Sequence, residues 1–270
     1  MQSRLHPFFS THPVFTVAEV DSFLASTGNF NPETRKKMLL QHSKQGTIRN
    51  LRRGLYAVVP PGQSPQDCAP DPFLVASRLA EDSVLSHHTA LEFHGYARSA
   101  RNVVTFLTTG KPSPPWRLSQ NTYRTVAQPR ALRSVDATEF GVQVRDRQGM
   151  DVQVTGPERT LVDVLDRPHL SGGWEEIWTS LESVPFFDLD LVVEHVGLLA
   201  NGTAAAKVGH FLEQHRESLM VEETHLEALQ RLSPKKPQYA DRNRGAGVLV
   251  QRWNLVMPMS VVERRWEELA

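Results

Sequence analysis

Five prolines between residues 60 and 72 constrain this chain more than any other feature of its sequence. The segment reads PPGQSPQDCAPDP and holds few apolar side chains. Because proline has a fixed φ and no backbone N–H, a stretch this rich in it continues neither a helix nor a sheet. We therefore predict a border here between an N-terminal domain, residues 1–62, and a larger domain, residues 70–270.

The two predicted domains differ in charge, although the chain as a whole is neutral, with 30 basic and 30 acidic side chains. Residues 1–60 hold eight basic and three acidic side chains, a net charge of +5. The other 210 residues hold 22 basic and 27 acidic ones, a net charge of −5. A basic module attached to an acidic body indicates that one end of the protein meets a polyanion.

The N-terminal segment has the signals of two helices followed by a β-hairpin. Thr16 is placed to cap a short helix, and Asn31 to cap a second one, which Gly46 ends. Two short strands follow, at residues 47–51 and 55–59, and an Arg-Arg-Gly turn joins them. This order is typical of a winged helix-turn-helix, a DNA-binding fold.

One face of the second predicted helix suits the major groove of DNA. At 100° per residue Leu39 points inward, while the opposite stripe carries hydroxyl, amide and ammonium groups and no carboxylate. Such groups neutralise phosphates and reach base edges. With the flanking basic residues and the hairpin, the predicted DNA-binding residues are Thr34, Arg35, Lys36, Lys37, Gln41, Lys44, Arg49, Arg52 and Arg53. A solvated basic helix beside an ordinary hairpin would show the same pattern.

The larger domain is predicted to mix helices and strands, so that the fold class is α+β with helices toward the C-terminal half. The predicted strands are residues 103–107, 123–127, 142–145, 152–154 and 247–256. The predicted helices are residues 72–79 and 84–93, one that a capping box at residues 155–158 opens, most of residues 173–232, and a short amphipathic tail at 261–269.

Motifs for catalysis or metal binding are weak. His88 and Glu92 are four residues apart but lack a convincing third ligand, so we predict no metal site. The chain has neither the Glu-x-Lys or Asp-x-Lys of many nuclease cores nor a Gly-x-Ser-x-Gly elbow. Glu158, Arg159 and Asp163 are explained more simply by a helix cap with a local ion pair. We therefore expect a protein that is not an enzyme and uses no cofactor.

Cys68 is the only cysteine, which excludes an intramolecular disulfide and a cysteine-based zinc site. The sequence has no run of about 18 apolar residues, and its first residues lack the pattern of a signal peptide. We therefore expect a cytoplasmic protein with no membrane partner.

Four stretches, taken in order, resemble the AbiEi family of bacterial antitoxins, the type IV toxin–antitoxin regulators. TVAEV at residues 16–20 is similar to the opening helix of the family's winged helix, and LRRGLYAV at 51–58 to its wing. VLSHHTALEFHG at 84–95 and VTGPERTLVD at 154–163 resemble two later helices. The resemblance runs from about residue 15 to about residue 215.

This resemblance implies an antitoxin that also represses its own operon by binding repeats in double-stranded promoter DNA. It implies a nucleotidyltransferase-like toxin as functional partner, with direct binding left open. Two other interpretations stay open at the level of sequence. One is a nucleic-acid-processing enzyme, nuclease-like, that the winged helix targets. The other is an interaction module whose winged helix binds protein.

Overall fold

The chain forms both helices and strands, and the computed structural model describes residues 4–28, 31–242 and 244–263. The helices are α1 (His6–Thr11), α2 (Val17–Ser26), α3 (Pro32–Lys44), α4 (Pro72–Ser77), α5 (His88–His94), α6 (Arg130–Ser134), α7 (Pro157–Asp166), α8 (Trp174–Glu182), α9 (Leu189–Leu199), α10 (Gly202–Gln214), α11 (Glu223–Leu232) and α12 (Met259–Val262). The strands are β1 (Val14–Thr16), β2 (Ile48–Arg52), β3 (Leu55–Val58), β4 (Val84–Leu85), β5 (Val103–Thr108), β6 (Trp116–Leu118), β7 (Asn121–Ala127), β8 (Val142–Arg147), β9 (Met150–Thr155), β10 (Gln238–Tyr239), β11 (Gly247–Val250) and β12 (Leu255–Pro258). The predicted α+β class is confirmed. Within the described ranges, no helix is long and apolar enough to cross a membrane.

The N-terminal unit, residues 4–59, packs α1, α2 and α3 beside a three-stranded antiparallel sheet in the order β1-β3-β2. Its core contains Leu5, Phe8, Phe15, Val20 and Leu39. Helices α2 and α3 and the β2–β3 hairpin match the sequence-based predictions, whereas α1 and β1 are additional elements. Strand β1 adds a third strand to the hairpin, which a two-stranded ribbon needs for stability in water.

Local side-chain chemistry explains where α2 and α3 begin and end. The Thr16 hydroxyl accepts a hydrogen bond from the Glu19 amide, and the Glu19 carboxylate accepts one from the Thr16 amide, a reciprocal capping box. The Asn31 side chain accepts from the Glu33 amide at the start of α3. After α3, Gly46 has a φ of +73°, a conformation that glycine adopts without steric cost. The predicted caps of both helices are confirmed.

A six-stranded mixed sheet in the order β6-β7-β5-β4-β9-β8 forms the centre of the molecule. Its β5–β7 and β4–β9 pairs are parallel, and its other pairs are antiparallel. Because alternate residues of a strand point to opposite faces, Leu85 and Phe106 pack into one hydrophobic cluster while Val84 and Leu107 pack into another. Both faces of this sheet are therefore covered.

The hydrophobic core continues across the predicted domain border. Val14, Leu55 and Ala57 of the N-terminal unit belong to the same buried cluster as Leu74 of α4 and Phe106 of β5. An ion pair between Glu19 of α2 and Arg78 at the end of α4, with 3.3 Å between Oε1 and Nε, also joins the two sides of the border. Sharing of buried apolar surface fixes the N-terminal unit against the central sheet.

The C-terminal half is helical around a second large core. Helices α8 to α11 follow one another along the chain, and with α7 they bury Trp178, Val192, Val196 and Phe211. A small sheet in the order β10-β12-β11 packs its β12 residues Leu255 and Met257 into this core. Strand β12, near the end of the described chain, therefore completes the core of the helical half.

Three sequence-based predictions about local structure are wrong. Residues 84–93 are not one helix, because β4 pairs with both β5 and β9 and α5 begins only at His88. The capping box at residues 155–158 is absent, because Thr155 ends β9 and its hydroxyl hydrogen-bonds Thr160 Oγ1, leaving Gly156 as a cap without a side chain. Residues 247–256 form two antiparallel strands, because a 3-10 turn and the left-handed Asn254 reverse the chain.

The predicted C-terminal tail lies mostly outside the described residues. Helix α12 covers Met259–Val262, and residues 264–270 belong to the part of the chain that the structure does not describe.

Candidate nucleic-acid interface

Helix α3 presents the predicted stripe to solvent. Leu39 is buried in the N-terminal core, whereas Thr34, Lys37, Gln41 and Lys44 are exposed. Lys36 is exposed beside them. The helix therefore has the orientation that its sequence pattern predicts, with Leu39 buried and a largely polar, basic outer face.

The charges of the three lysines on this outer face are not paired with any described acidic side chain. Within the described residues, Lys36, Lys37 and Lys44 take part in none of the ion pairs, which lie elsewhere. Two of the three acidic side chains of the N-terminal segment are already engaged, since Glu19 pairs with an arginine of α4's C-terminal end and Asp21 with one of α3. The remaining one, Glu33, is exposed at the first turn of α3, where it complements the helix dipole.

Two of the predicted DNA-binding arginines hold the fold together. Arg35 donates to the Asp21 carboxylate on α2 at 2.5 Å, and only 20% of its side chain is exposed. Arg49 on β2 donates to the backbone carbonyls of Gln66 and Cys68 at 3.3 and 2.7 Å. The first contact fixes α3 on α2, and the second fixes the proline-rich segment against the hairpin. Both side chains therefore position elements of the N-terminal unit, and their contact with DNA stays a prediction.

The two arginines at the tip of the β2–β3 hairpin have different environments. The Arg52 guanidinium lies over the Trp116 ring of β6, 5.4 Å from the ring centre, which is a cation–π distance. Arg53 is exposed and makes no ion pair with any described residue. Gly54 has a φ of +82°, and its carbonyl accepts from the Val17 amide at the start of α2. The hairpin is thus held from both sides while Arg53 stays accessible.

The His-rich segment after β4 is structural in the described molecule. His88 is buried between two carboxylates, with Nε2 3.0 Å from Glu176 Oε1 and Nδ1 3.6 Å from Glu92 Oε2. Burial alone would raise the pKa of Glu176, but hydrogen bonds from Ser99 and His88 outweigh it and lower that pKa. Among the described residues, no group of three or more potential ligands could hold a metal ion. These contacts join α5 to α8.

Arg159 lies at the centre of a buried polar cluster that the sequence does not reveal. Its guanidinium donates to the backbone carbonyls of Thr138 and Phe140 and to the Gln128 side chain, each at 2.7 Å. Its Nε lies 3.5 Å from the Asp163 carboxylate, so the predicted local ion pair is present, although neither residue is at the surface. Helix α7 thus lies in the interior with its charged side chains Arg159 and Asp163 buried.

Asp163 contacts both Arg159 and His195, and its charge also acts on the buried His87. His195 Nε2 lies 3.5 Å from Asp163 Oδ1. Burial alone would raise the pKa of Asp163, but the hydrogen bond with His195 and the charge of Arg159 outweigh it, so the pKa lies far below its usual range. Burial lowers the pKa of His87 to about 4, although the charge of Asp163 acts in the opposite direction. Burial therefore keeps His87 neutral at neutral pH, and His195 and Arg159 keep Asp163 ionised.

His87 also has an unusual backbone. Its φ is +55° and its ψ is −135°, a region that side-chain-bearing residues rarely adopt. The position connects the end of β4 to the start of α5, and the Ser86 hydroxyl lies 2.9 Å from His87 Nδ1. The strain is sustained because the residue is only 2% exposed and is enclosed on all sides.

The comparisons with known proteins bear on the fold. No protein-family model matches the chain, and no curated protein matches it significantly. Among solved structures, the chain is similar to the crystal structure of the RV2827C protein from Mycobacterium tuberculosis, with a TM-score of 0.57 and 18% sequence identity. The match covers 98% of this chain and 94% of that one. At this identity the likeness extends to the fold, which is shared over nearly the full length of both chains.

Proposed function

We propose that this protein is a DNA-binding autoregulator with antitoxin activity, and that its N-terminal unit acts as a winged helix-turn-helix. The observation that carries the DNA-binding part is the outer face of α3, where Lys36, Lys37 and Lys44 are exposed and outside the described ion pairs. The order α2, α3, β2, β3 with β1 beside the hairpin supports the same assignment.

In this proposal α3 enters the major groove and the hairpin touches the adjacent backbone. The lysines neutralise phosphates, and the Thr34 hydroxyl and Gln41 amide reach base edges. Leu40 is 55% exposed, and on the helical wheel it lies between Lys36 and Lys44. An apolar side chain at this place suits contact with a thymine methyl group.

The antitoxin part of the proposal rests on the resemblance to AbiEi proteins. The central sheet and the helical half would carry that activity, with a nucleotidyltransferase-like toxin as the functional partner. Co-expression tests it directly: the neighbouring toxin gene should arrest growth alone and be tolerated beside this protein. Equal growth arrest with and without this protein would contradict the antitoxin assignment.

A gel-shift titration tests DNA binding on the DNA upstream of the protein's own gene. Each lysine that neutralises a phosphate contributes about 0.9 to the slope of log affinity against log salt, or roughly fivefold in affinity near physiological salt. The Lys37→Ala/Lys44→Ala variant should therefore bind roughly 25-fold more weakly than the unmodified protein. The matched control, Arg130→Ala/Arg133→Ala, removes two exposed charges from α6 and should bind like the unmodified protein.

Either of two outcomes would contradict the proposal. Equal affinity of the lysine variant and the unmodified protein would remove α3 from the interface. Cleavage of the DNA with Mg²⁺ that survives repurification would favour the nuclease-like alternative.

A further inference from the structure

A polar groove of about 730 Å³ opens in the C-terminal half of the molecule, away from α3 in sequence. The end of α7, the start of α10 and the segment around β10 line it. A second cavity of about 290 Å³ shares Asp166, Lys207, Asp241 and Arg242 with the groove and adds His169. The two cavities are thus parts of one depression.

Among the residues that the structure describes, four cationic side chains line the groove: Arg167, Lys207, Arg242 and Arg244. Two carboxylates, Asp166 and Asp241, also line it, so the lining has a net charge of +2. This local excess stands out because the chain after residue 60 carries a net charge of −5.

Hydrogen bonds within the protein engage both carboxylates. Asp166 Oδ1 accepts from the Asn201 amide at 2.7 Å, and Asp166 Oδ2 accepts from Arg167 Nε at 3.3 Å. Asp241 Oδ2 accepts from Trp174 Nε1 at 3.0 Å. Asp241 is thus bonded to Trp174, whereas Asp166 is bonded to Asn201 and paired with Arg167, one of the groove's own cations.

The cations keep donors for a ligand. Lys207 is only 4% exposed, its ammonium donates to the Asp166 carbonyl at 3.1 Å, and it lies 5.7 Å from the centre of the Trp174 ring. An ammonium has three donors, and one such bond leaves two of them. Arg242 forms no ion pair with a described residue, and its side chain is at the surface.

The lowered pKa of His169 is consistent with a positive electrostatic potential in this depression. Burial lowers its pKa, and the charges of Arg242, Arg167, Arg124 and Lys207 lower it further. Burial also lowers the pKa of Lys207, although the charge of Asp166 opposes this. A ligand with negative charge would relieve the repulsion among these groups.

We propose that this groove binds the phosphate chain of a nucleotide or of a nucleic-acid strand, with Arg167, Lys207 and Arg242 as the phosphate-binding side chains. Arginine forks and a buried ammonium are the donors that proteins use for phosphate oxygens. The volume lies within the range of small-ligand sites, and the polar lining excludes an apolar ligand. Tyr239, 45% exposed at the rim, offers a ring on which a base can stack.

The test titrates sodium tripolyphosphate, ATP and a short single-stranded oligonucleotide into the purified full-length protein by calorimetry. All proteins in the test carry Lys37→Ala/Lys44→Ala, so that the N-terminal unit contributes little. We expect micromolar binding of at least one probe, and at least tenfold weaker binding after Arg167→Gln/Arg242→Gln. The control, Arg130→Gln/Arg133→Gln, makes the same change of charge on α6 and should bind like its parent.

The outcomes separate the sources of the phosphate. Equal affinities for tripolyphosphate and ATP would support the phosphate site without a base contact. Tighter binding of the oligonucleotide would support a strand as the natural ligand. A rise of the His169 pKa in an NMR titration with the bound probe would place the ligand in the groove. No binding of any probe at millimolar concentration, or equal weakening in the groove and control variants, would overturn the proposal.

Discussion

Replacing Arg159 by methionine should destabilise the protein by about 3–5 kcal/mol, the usual effect of removing one partner from a buried ion pair. The substitution leaves the Asp163 carboxylate buried without its cation, and it leaves the Thr138 and Phe140 carbonyls and the Gln128 side chain without their donor. Urea unfolding followed by circular dichroism measures the loss. An unfolding free energy within about 1 kcal/mol of the unmodified protein would contradict the role that we assign to Arg159.

A double-mutant cycle with Asp163→Asn separates the charge from the lost hydrogen bonds. In the Arg159→Met variant, Asp163 is a buried charge without a partner, and Asp163→Asn removes that charge. Asp163→Asn should therefore lower the unfolding free energy less in this variant than in the unmodified protein. Strictly additive effects would mean that Arg159 and Asp163 do not interact. Arg133→Met, at an exposed position of α6, serves as the control and should change stability by about 0.5 kcal/mol or less.

Acidification should destabilise the protein through His87. Its pKa is about 4 in the folded protein and about 6.5 in the unfolded chain, so the unfolded chain takes up the proton first as the pH falls. Above pH 6.5 His87 is neutral in both states and the unfolding free energy is not reduced by it. Between pH 6.5 and 4 the proton binds the unfolded chain preferentially, and the unfolding free energy falls. The expected loss is about 2 kcal/mol by pH 5 and about 3 kcal/mol by pH 4.

His87→Gly isolates this effect, because glycine adopts a φ of +55° without strain and carries no titrating group. The pKa values of His42, His94 and His169 are also lowered by burial, so both proteins should lose stability in acid. The difference between their unfolding free energies should change with pH by the amounts given above. Parallel pH profiles of the two proteins would show that His87 does not titrate on unfolding.

The elements that sequence reasoning predicted are those with a local cause. Thr16, Asn31 and Gly46 act on backbone groups within a few residues of themselves, so their positions reveal the ends of α2 and α3. The alternation of exposed and buried residues on α3 likewise follows from helical geometry alone. For these reasons the helix pair and the hairpin could be predicted from the chain itself.

The features that were not predicted from the sequence depend on contacts between segments that are distant in the chain. The apolar run that contains β4 resembles a helix start, and only its pairing with β5 and β9 makes it a strand. Arg35 and Arg49 look like free cations in the sequence, because their partners Asp21 and the carbonyl of Cys68 lie on other elements. The residues of the polar groove are likewise far apart in the chain and have no local motif.

The salt dependence of binding to the protein's own upstream DNA tests the central claim most directly. Affinity should be measured for the unmodified protein and for Lys37→Ala/Lys44→Ala at several salt concentrations between about 50 and 200 mM. If both lysines neutralise phosphates, the slope of log affinity against log salt should be about 1.8 smaller in magnitude for the variant. Equal slopes for the two proteins would contradict the assignment of α3 as the DNA-binding helix.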